Sequence, residues 1–196
     1  MPDFCCAAVV LAAGASTRLG QPKQLLLIDG ESLLRRTARM AVEAGCAPVC
    51  VVLGFHAQRM QPELTGLAVQ DVVNQTWQEG MGSSLRAGMN AVLQAVPQPD
   101  SVVVLVCDQA RLTTSHLRQL LERHTATENP GITASVYGDK AGVPAVFPAR
   151  LFPALLASQG DRGARDLIRA HSTEVQGIPW PEGVVDIDRP EDVHHN

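Results

Sequence analysis

Lysine is nearly missing from this sequence: Lys23 and Lys140 are the only two in 196 residues. Aromatic residues make up 4%, with one tyrosine, and the formal net charge is −4. No stripe of arginine and lysine appears, which argues against a nucleic-acid surface, where many cations must track a phosphate backbone. A small anion held locally stays compatible. None of the five cysteines forms a C-x-x-C pair, and Cys46 and Cys50 flank Pro48, an awkward metal geometry. Apolar, strand-like surroundings point instead to reduced, buried thiols in a cytosolic protein. The apolar run 5–13 has no cationic segment ahead of it and is too short to span a membrane, so the expected location is the cytoplasm with no membrane partner. No Ser-His or Cys-His arrangement stands out, and His56, His116, His124, His171, His194 and His195 show no ligand spacing. Repeats and low-complexity segments are absent too.

What is present is alternation. Continuous apolar runs at 5–13, 49–54 and 101–107 read as buried strands, with a further strand at 68–73. Between them lie helical patterns at 31–44, 56–64, 83–96 and one led by Thr113 or Thr114. Strand–helix alternation with such strands means a parallel sheet covered on both faces. After residue 132 the pattern is less regular: strands near 132–136 and 144–147, helices near 149–158 and 162–171, and a last strand at 184–187. A chain of this length buries roughly 70% of its unfolded surface and is expected to form one three-layer α/β domain over 1–196.

The first strand breaks at Gly14 into small residues, then delivers Arg18 and Lys23. Small residues let backbone N–H groups approach an anion, and the two cations stand beside it. The familiar phosphate loops do not fit, because Gly20 is followed by Gln21 and Pro22, and Gly14 by Ala15 and Ser16. Pro22 also argues against a long helix leaving the loop. Asp108 ends the run 101–107, so its carboxylate emerges at a strand tip. Such an oxygen suits Mg²⁺, which takes one or two carboxylates plus substrate phosphates; a turn or N-cap role is the plainer alternative. Gly14 and Asp108 both fall at carboxyl ends of strands, where open α/β sheets bind ligands.

Three further constellations stand out. In residues 74–88, Gly80 and Gly82 lead to Ser83 and Ser84 at a helix start, whose N–H groups can face an anion or a base carbonyl; chemistry alone favours a plain capped helix there. Asp186 and Asp188 share a strand face, and Asp188 with Glu191 also reads as a capping box. Arg162 and Arg165 sit at a glycine-broken helix start, as phosphate ligands or as ordinary solvent-facing cations.

The pattern from Leu11, Ala12, Ala13 and Gly14 through Ser16, Arg18, Leu19 and Gly20 to Lys23 resembles the signature of the MobA-like nucleotidyltransferases. Within these it looks most like the molybdenum cofactor cytidylyltransferases of the MocA type, and the resemblance spans nearly the whole chain. It implies a three-layer Rossmann-like nucleotidyltransferase fold with a mostly parallel central sheet, a nucleotide-binding half (1–110) and an acceptor-binding half (111–196). Leu11, Ala12, Ala13, Gly14, Arg18 and Lys23 would wrap a triphosphate. Two alanines before the glycine accompany CTP, where the guanylyl branch has Leu-Ala-Gly-Gly. The family's Asp-Gln-Pro stands here as Asp108-Gln109-Ala110, so the loop shape departs. Residues 74–88 match the second motif, implying base contacts by Gly82, Ser83 and Ser84, with Asn74 less firmly. The closing Asp-Ile-Asp-Thr-Pro-Glu-Asp has Arg189 for threonine, and implies that Asp186 or, in preference, Asp188 joins Asp108 on the metal. Gly142, Pro144, Arg162 and Arg165 would face the acceptor.

The implied reaction transfers CMP from CTP to the terminal phosphate of a molybdopterin-type cofactor with Mg²⁺, releasing pyrophosphate. Lys23, Arg18 and Asp108 are its catalytic residues, and a molybdoenzyme or its chaperone is a further partner. One rival is a nucleotidyltransferase acting on a sugar phosphate or phospho-alcohol; Pro22-Lys23-Gln24 also occurs in the cytidylyltransferases of isoprenoid synthesis. Another is a non-catalytic nucleotide-binding chaperone for a molybdoenzyme.

Overall fold

The computed structural model describes residues 4–16 and 20–184. Strand β1 (Cys6–Ala12) is buried at every position, as a strand covered on both faces must be. Asp29 and Gly30, both at positive φ, turn the small hairpin β2 (Leu27–Ile28) and β3 (Glu31–Ser32). The Ser32 hydroxyl then accepts the Arg35 N–H and caps helix α1 (Leu33–Glu43). Strand β4 (Val49–Leu53) and the short α2 (Ala57–Met60) follow, then β5 (Gln70–Val73) and α3 (Met81–Val92). Next come β6 (Ser101–Val106) and α4 (Thr114–Thr125), whose cap is Thr113. The remainder is β7 (Ile132–Tyr137), β8 (Lys140–Pro148), α5 (Phe152–Leu156), α6 (Ala164–Ala170) and β9 (Val175–Pro179).

One seven-stranded sheet runs β5-β4-β1-β6-β8-β7-β9. Period-two alternation splits β1 between two cores: Ala8, Val10 and Ala12 pack with α1 and α4, while Ala7, Val9 and Leu11 pack with α3, α5 and α6. The sheet is mostly parallel and Rossmann-like, with helices on both faces. From β1 the chain steps outward through β4 to β5, then returns to β1's other side at β6. The strand order therefore reverses between β1 and β6, and a crevice opens beyond their carboxyl ends.

Four elements differ from the sequence expectation. Strand β8 runs antiparallel to β6 and β7, because β7 and β8 are joined by a turn at Gly138 (φ +56), too short for a crossover. The last described strand is β9, not 184–187. Val184 closes a 3-10 turn, Pro181–Val184, and 185–187 lie outside the described residues. Gly177 and Pro179 hide β9 in the sequence, and an edge strand tolerates both. Helix α3 begins and ends earlier than 83–96, and 149–158 is a 3-10 turn followed by the short α5.

Two buried histidines make stability depend on pH. Burial pushes His124 down to about 4 from its ordinary 6.5, and Arg150 adds to the shift. Burial also lowers His116, with Glu182 opposing. Both stay neutral in the folded protein and gain a proton in the unfolded chain. Stability is therefore complete above pH about 6.5 and is lost as pH falls toward about 4. Denaturation midpoints for the native chain should drop between pH 7 and 5, and His124→Leu should shrink that drop; an equal drop in both proteins would contradict this origin.

Candidate active site

The loop leaving β1 is shaped by one buried side chain. Gln24, 1% exposed, donates from Nε2 to the carbonyls of Ala12 (3.1 Å) and Gly14 (2.8 Å), and its Oε1 accepts the Ser16 hydroxyl (3.1 Å). Ser16, at φ +53, accepts the Lys23 N–H through its Oγ at 3.1 Å. The loop is thereby folded back onto the 3-10 turn Lys23–Leu25, which starts behind Pro22. This turn carries the Lys23 ammonium across to the carboxylate of Asp108, at the tip of the strand beside β1, and the two form an ion pair.

Beneath this pair lies a cavity of about 410 Å³. Residues Leu11 to Gly14 line it from β1, Val106 to Asp108 from β6, and Trp77, Met81, Ser84 and Asp161 close the remaining sides. Asp108 Oδ2 faces Lys23, whereas its Oδ1 is buried and has no hydrogen-bond partner among the described residues. Asp108 lines the cavity, and an acceptor-only carboxylate at that place fits a hard divalent cation. No cluster of three metal-ligating side chains occurs among the described residues, and the carboxylates that line the cavity there are Asp108 and Asp161. Arg18, Asp186 and Asp188 lie outside the described residues. Cys107 also lines the cavity; burial and the Asp108 charge push its thiol up to about 12, Lys23 opposing. It stays protonated at neutral pH and offers no thiolate.

Residues 74–88 do not all face the cavity. Asn74 Nδ2 donates to Ser83 Oγ (2.8 Å) and Ser84 Oγ (3.1 Å), while its Oδ1 accepts the Thr76 N–H (3.0 Å) and hydroxyl (3.1 Å). The Ser83 hydroxyl is engaged with the carbonyls of Thr76 and Gly80, and the Gly82 N–H donates to the Gly160 carbonyl at 2.8 Å. Asn74, Gly82 and Ser83, expected as base contacts, are held in these hydrogen bonds and do not line the cavity, whereas Ser84 does. Gly82 is required for close approach, since a Cβ there would lie 2.8 Å from the backbone of Gln159.

A second hollow, of about 820 Å³, lies against α6 and the β7–β8 hairpin, with Gly142, Arg162 and Arg165 in its lining beside Lys140 and Arg169. A small gap shares Leu11, Met81 and Val106 with the lining of the first cavity and Arg162 and Arg165 with that of the second. Pro144 is the exception among the expected acceptor residues: it is buried within β8 and lines neither hollow, and its carbonyl accepts the Ser135 hydroxyl at 2.8 Å.

Residues 8–175 match the MobA-like NTP transferase domain. The chain belongs to this family. Among its relatives, a nicotine blue oxidoreductase from Paenarthrobacter nicotinovorans is 33% identical over 93% of this chain and 87% of its own. A probable molybdenum cofactor guanylyltransferase from Trichormus variabilis is 25% identical, over 95% of this chain and 87% of its own. The solved Rv0371c of Mycobacterium tuberculosis superposes with a TM-score of 0.80 at 28% identity, covering 97% and 96% of the two chains. The same protein has also been solved with manganese (TM-score 0.74, 27% identity, 97% and 96% covered).

Within this MobA-like frame, three residues went unread in the sequence. Gln24 stands just ahead of the apolar residues 25–28 and gives no local signal of its burial. Gly54 has none, because its role is proximity: a Cβ there would lie 2.8 Å from the Cβ of Ala13. Trp77 faces the cavity from a segment whose serines drew attention instead. Ala110, where the family pattern has proline, packs against Leu26, Ile28 and Leu33, and its N–H donates to the Asp108 carbonyl at 3.2 Å. A proline could not make that bond.

Proposed function

We propose that this MobA-like nucleotidyltransferase transfers CMP from CTP to the terminal phosphate of a molybdopterin-type cofactor, in the cytoplasm and with Mg²⁺. The observation that carries the reading is the meeting of Lys23 and Asp108 over a cavity floored by Leu11 to Gly14, at the sheet's switch point. A triphosphate brings its own negative charge to that place. Lys23 would leave Asp108 for the α-phosphate, with Arg18 along the β- and γ-phosphates, and Asp108 would hold the cation. When bound, Mg²⁺ supplies charge neutralisation for the phosphates. The acceptor's phosphate oxygen forms the new bond to the α-phosphorus as the α–β bridge breaks, and pyrophosphate departs with that electron pair. The attacking oxygen is already anionic, so no side chain has to take a proton; positioning and charge stabilisation are what the site contributes.

Gly142, Arg162 and Arg165 in the adjoining hollow are assigned to the acceptor, and Asp188 to the metal beside Asp108. The division into a nucleotide half and an acceptor half belongs to the same proposal, with Asp161 as the acceptor half's contribution to the first cavity. The Ala12-Ala13-Gly14 sequence supports CTP over GTP.

The test is a thermal-shift screen against the four ribonucleoside triphosphates with Mg²⁺, with NADH and NADPH as further wells because one relative is named an oxidoreductase. A ligand that binds only the folded chain raises its melting temperature by mass action. CTP should give the largest shift, and pyrophosphate should appear once a phosphate-bearing acceptor is added. A GTP preference overturns the cytidine assignment. A shift with the dinucleotides alone overturns nucleotidyl transfer, and CTP binding without pyrophosphate release from any acceptor favours the non-catalytic chaperone.

A further inference from the structure

Trp77 faces the cavity, and the transfer chemistry gives it no task. Its place is set by the strand order. Asp108 follows β6, Gly14 follows β1, Phe55 follows β4 and Trp77 follows β5, and these four strands are successive neighbours. Three strand spacings of about 4.8 Å, roughly 14 Å, separate β6 from β5. An extended nucleoside triphosphate is of that order in length.

The indole is held rather than loose. Asn74 fixes Thr76, the Ser83 hydroxyl takes the Thr76 carbonyl (3.0 Å), and the Gly80 N–H donates to the Trp77 carbonyl at 3.2 Å. The Phe55 ring lies 5.2 Å away, tilted by 58°. Phe55 lines the outer hollow with His56 and Val73 instead of the cavity, so it supports the indole from outside. Of the groups expected to meet a base, the Asn74 amide and the Ser83 hydroxyl are meanwhile engaged within their own loop, and the Ser84 hydroxyl is left to line the cavity.

We propose that Trp77, buttressed by Phe55, stacks on the base of the bound nucleotide and defines the nucleoside end of the site. This rests on the nucleotidyltransferase reading. Stacking on an aromatic platform tolerates any base, so it supplies affinity and position and leaves base choice to other groups.

The chain has two tryptophans, and the other, Trp180, is 4% exposed and stacked on His116 with centroids 5.0 Å apart. In Trp180→Phe, fluorescence therefore reports Trp77 alone; the difference spectrum between the native chain and Trp77→Phe gives the same signal without touching Trp180. With Mg²⁺, CTP should quench this emission, while inorganic tripolyphosphate should compete with CTP and leave the emission unchanged. Trp77→Ala should raise the Kd for CTP roughly tenfold to a hundredfold, leave tripolyphosphate binding as it was, and be largely rescued by Trp77→Phe. Native CTP affinity in Trp77→Ala, equal losses for CTP and tripolyphosphate, or CTP binding without quenching would overturn the stacking seat alone. If no nucleoside triphosphate binds the native chain, the proposed function falls with it.

Discussion

Lys23→Ala should lower turnover roughly a hundredfold or more while CTP still binds, the size of effect seen when one transition-state donor is removed. The same variant should bind a divalent cation more tightly when no nucleotide is present. Both expectations follow from where the ammonium sits in the free protein. It is paired with Asp108, on the carboxylate proposed to hold the metal. An ammonium on a carboxylate oxygen competes with any cation approaching that oxygen. Removing it frees Asp108 Oδ2 and leaves the local charge one unit more negative. In the reacting complex the balance reverses, because the ammonium is then needed on the phosphate where charge shifts during transfer. Steady-state kinetics with CTP and acceptor read the first effect, and Mn²⁺ titration of the free protein reads the second. An unchanged kcat removes Lys23 from the chemistry, and weaker Mn²⁺ binding removes Asp108 as the metal's seat.

The nearness of the end of β1 to Asp108 was legible in the sequence because buried parallel strands announce themselves; the Lys23–Asp108 ion pair was not. Runs such as 5–13 and 101–107 have no polar face, so both had to lie within the sheet with their tips on one edge, which places Gly14 near Asp108. Direction was harder to read than position. Ser83 and Ser84 are adjacent and chemically alike, yet one hydroxyl turns into the scaffold and its neighbour lines the cavity. Nothing in the order of residues separates them, since the choice depends on Asn74, which reaches both from another loop. Gln24 was hidden for the same reason: its three hydrogen bonds run to residues ten or so positions earlier. Strand β9 stayed hidden because Gly177 and Pro179 weaken its pattern, and its pairing to β7 is a long-range event. Arg18, Asp186 and Asp188 lie outside the described residues, and their roles stay part of the proposal.

Gly54→Ala should destabilise the fold and weaken nucleotide binding together. The added Cβ would lie 2.8 Å from the Cβ and 2.9 Å from the Cα of Ala13, which is 5% exposed. Neither side can yield cheaply. Ala12 is registered against Leu53 in the sheet, and the Phe55 N–H bonds the Ala13 carbonyl at 3.3 Å. Overpacking of this kind costs about 1–3 kcal/mol, and the relief available is to push the start of the loop outward, with Gly14 on it. Gly14→Ala separates the two consequences. A Cβ at Gly14 meets nothing within 4 Å, so the fold should keep its denaturation midpoint. It would still interpose a methyl where backbone must approach an anion closely, and CTP and tripolyphosphate should both bind more weakly. If Gly54→Ala lowers the midpoint but leaves both affinities untouched, the junction of β1 with β4 supports the sheet without shaping the phosphate loop. If Gly14→Ala binds triphosphate as tightly as the native chain, that loop is not where the phosphates lie.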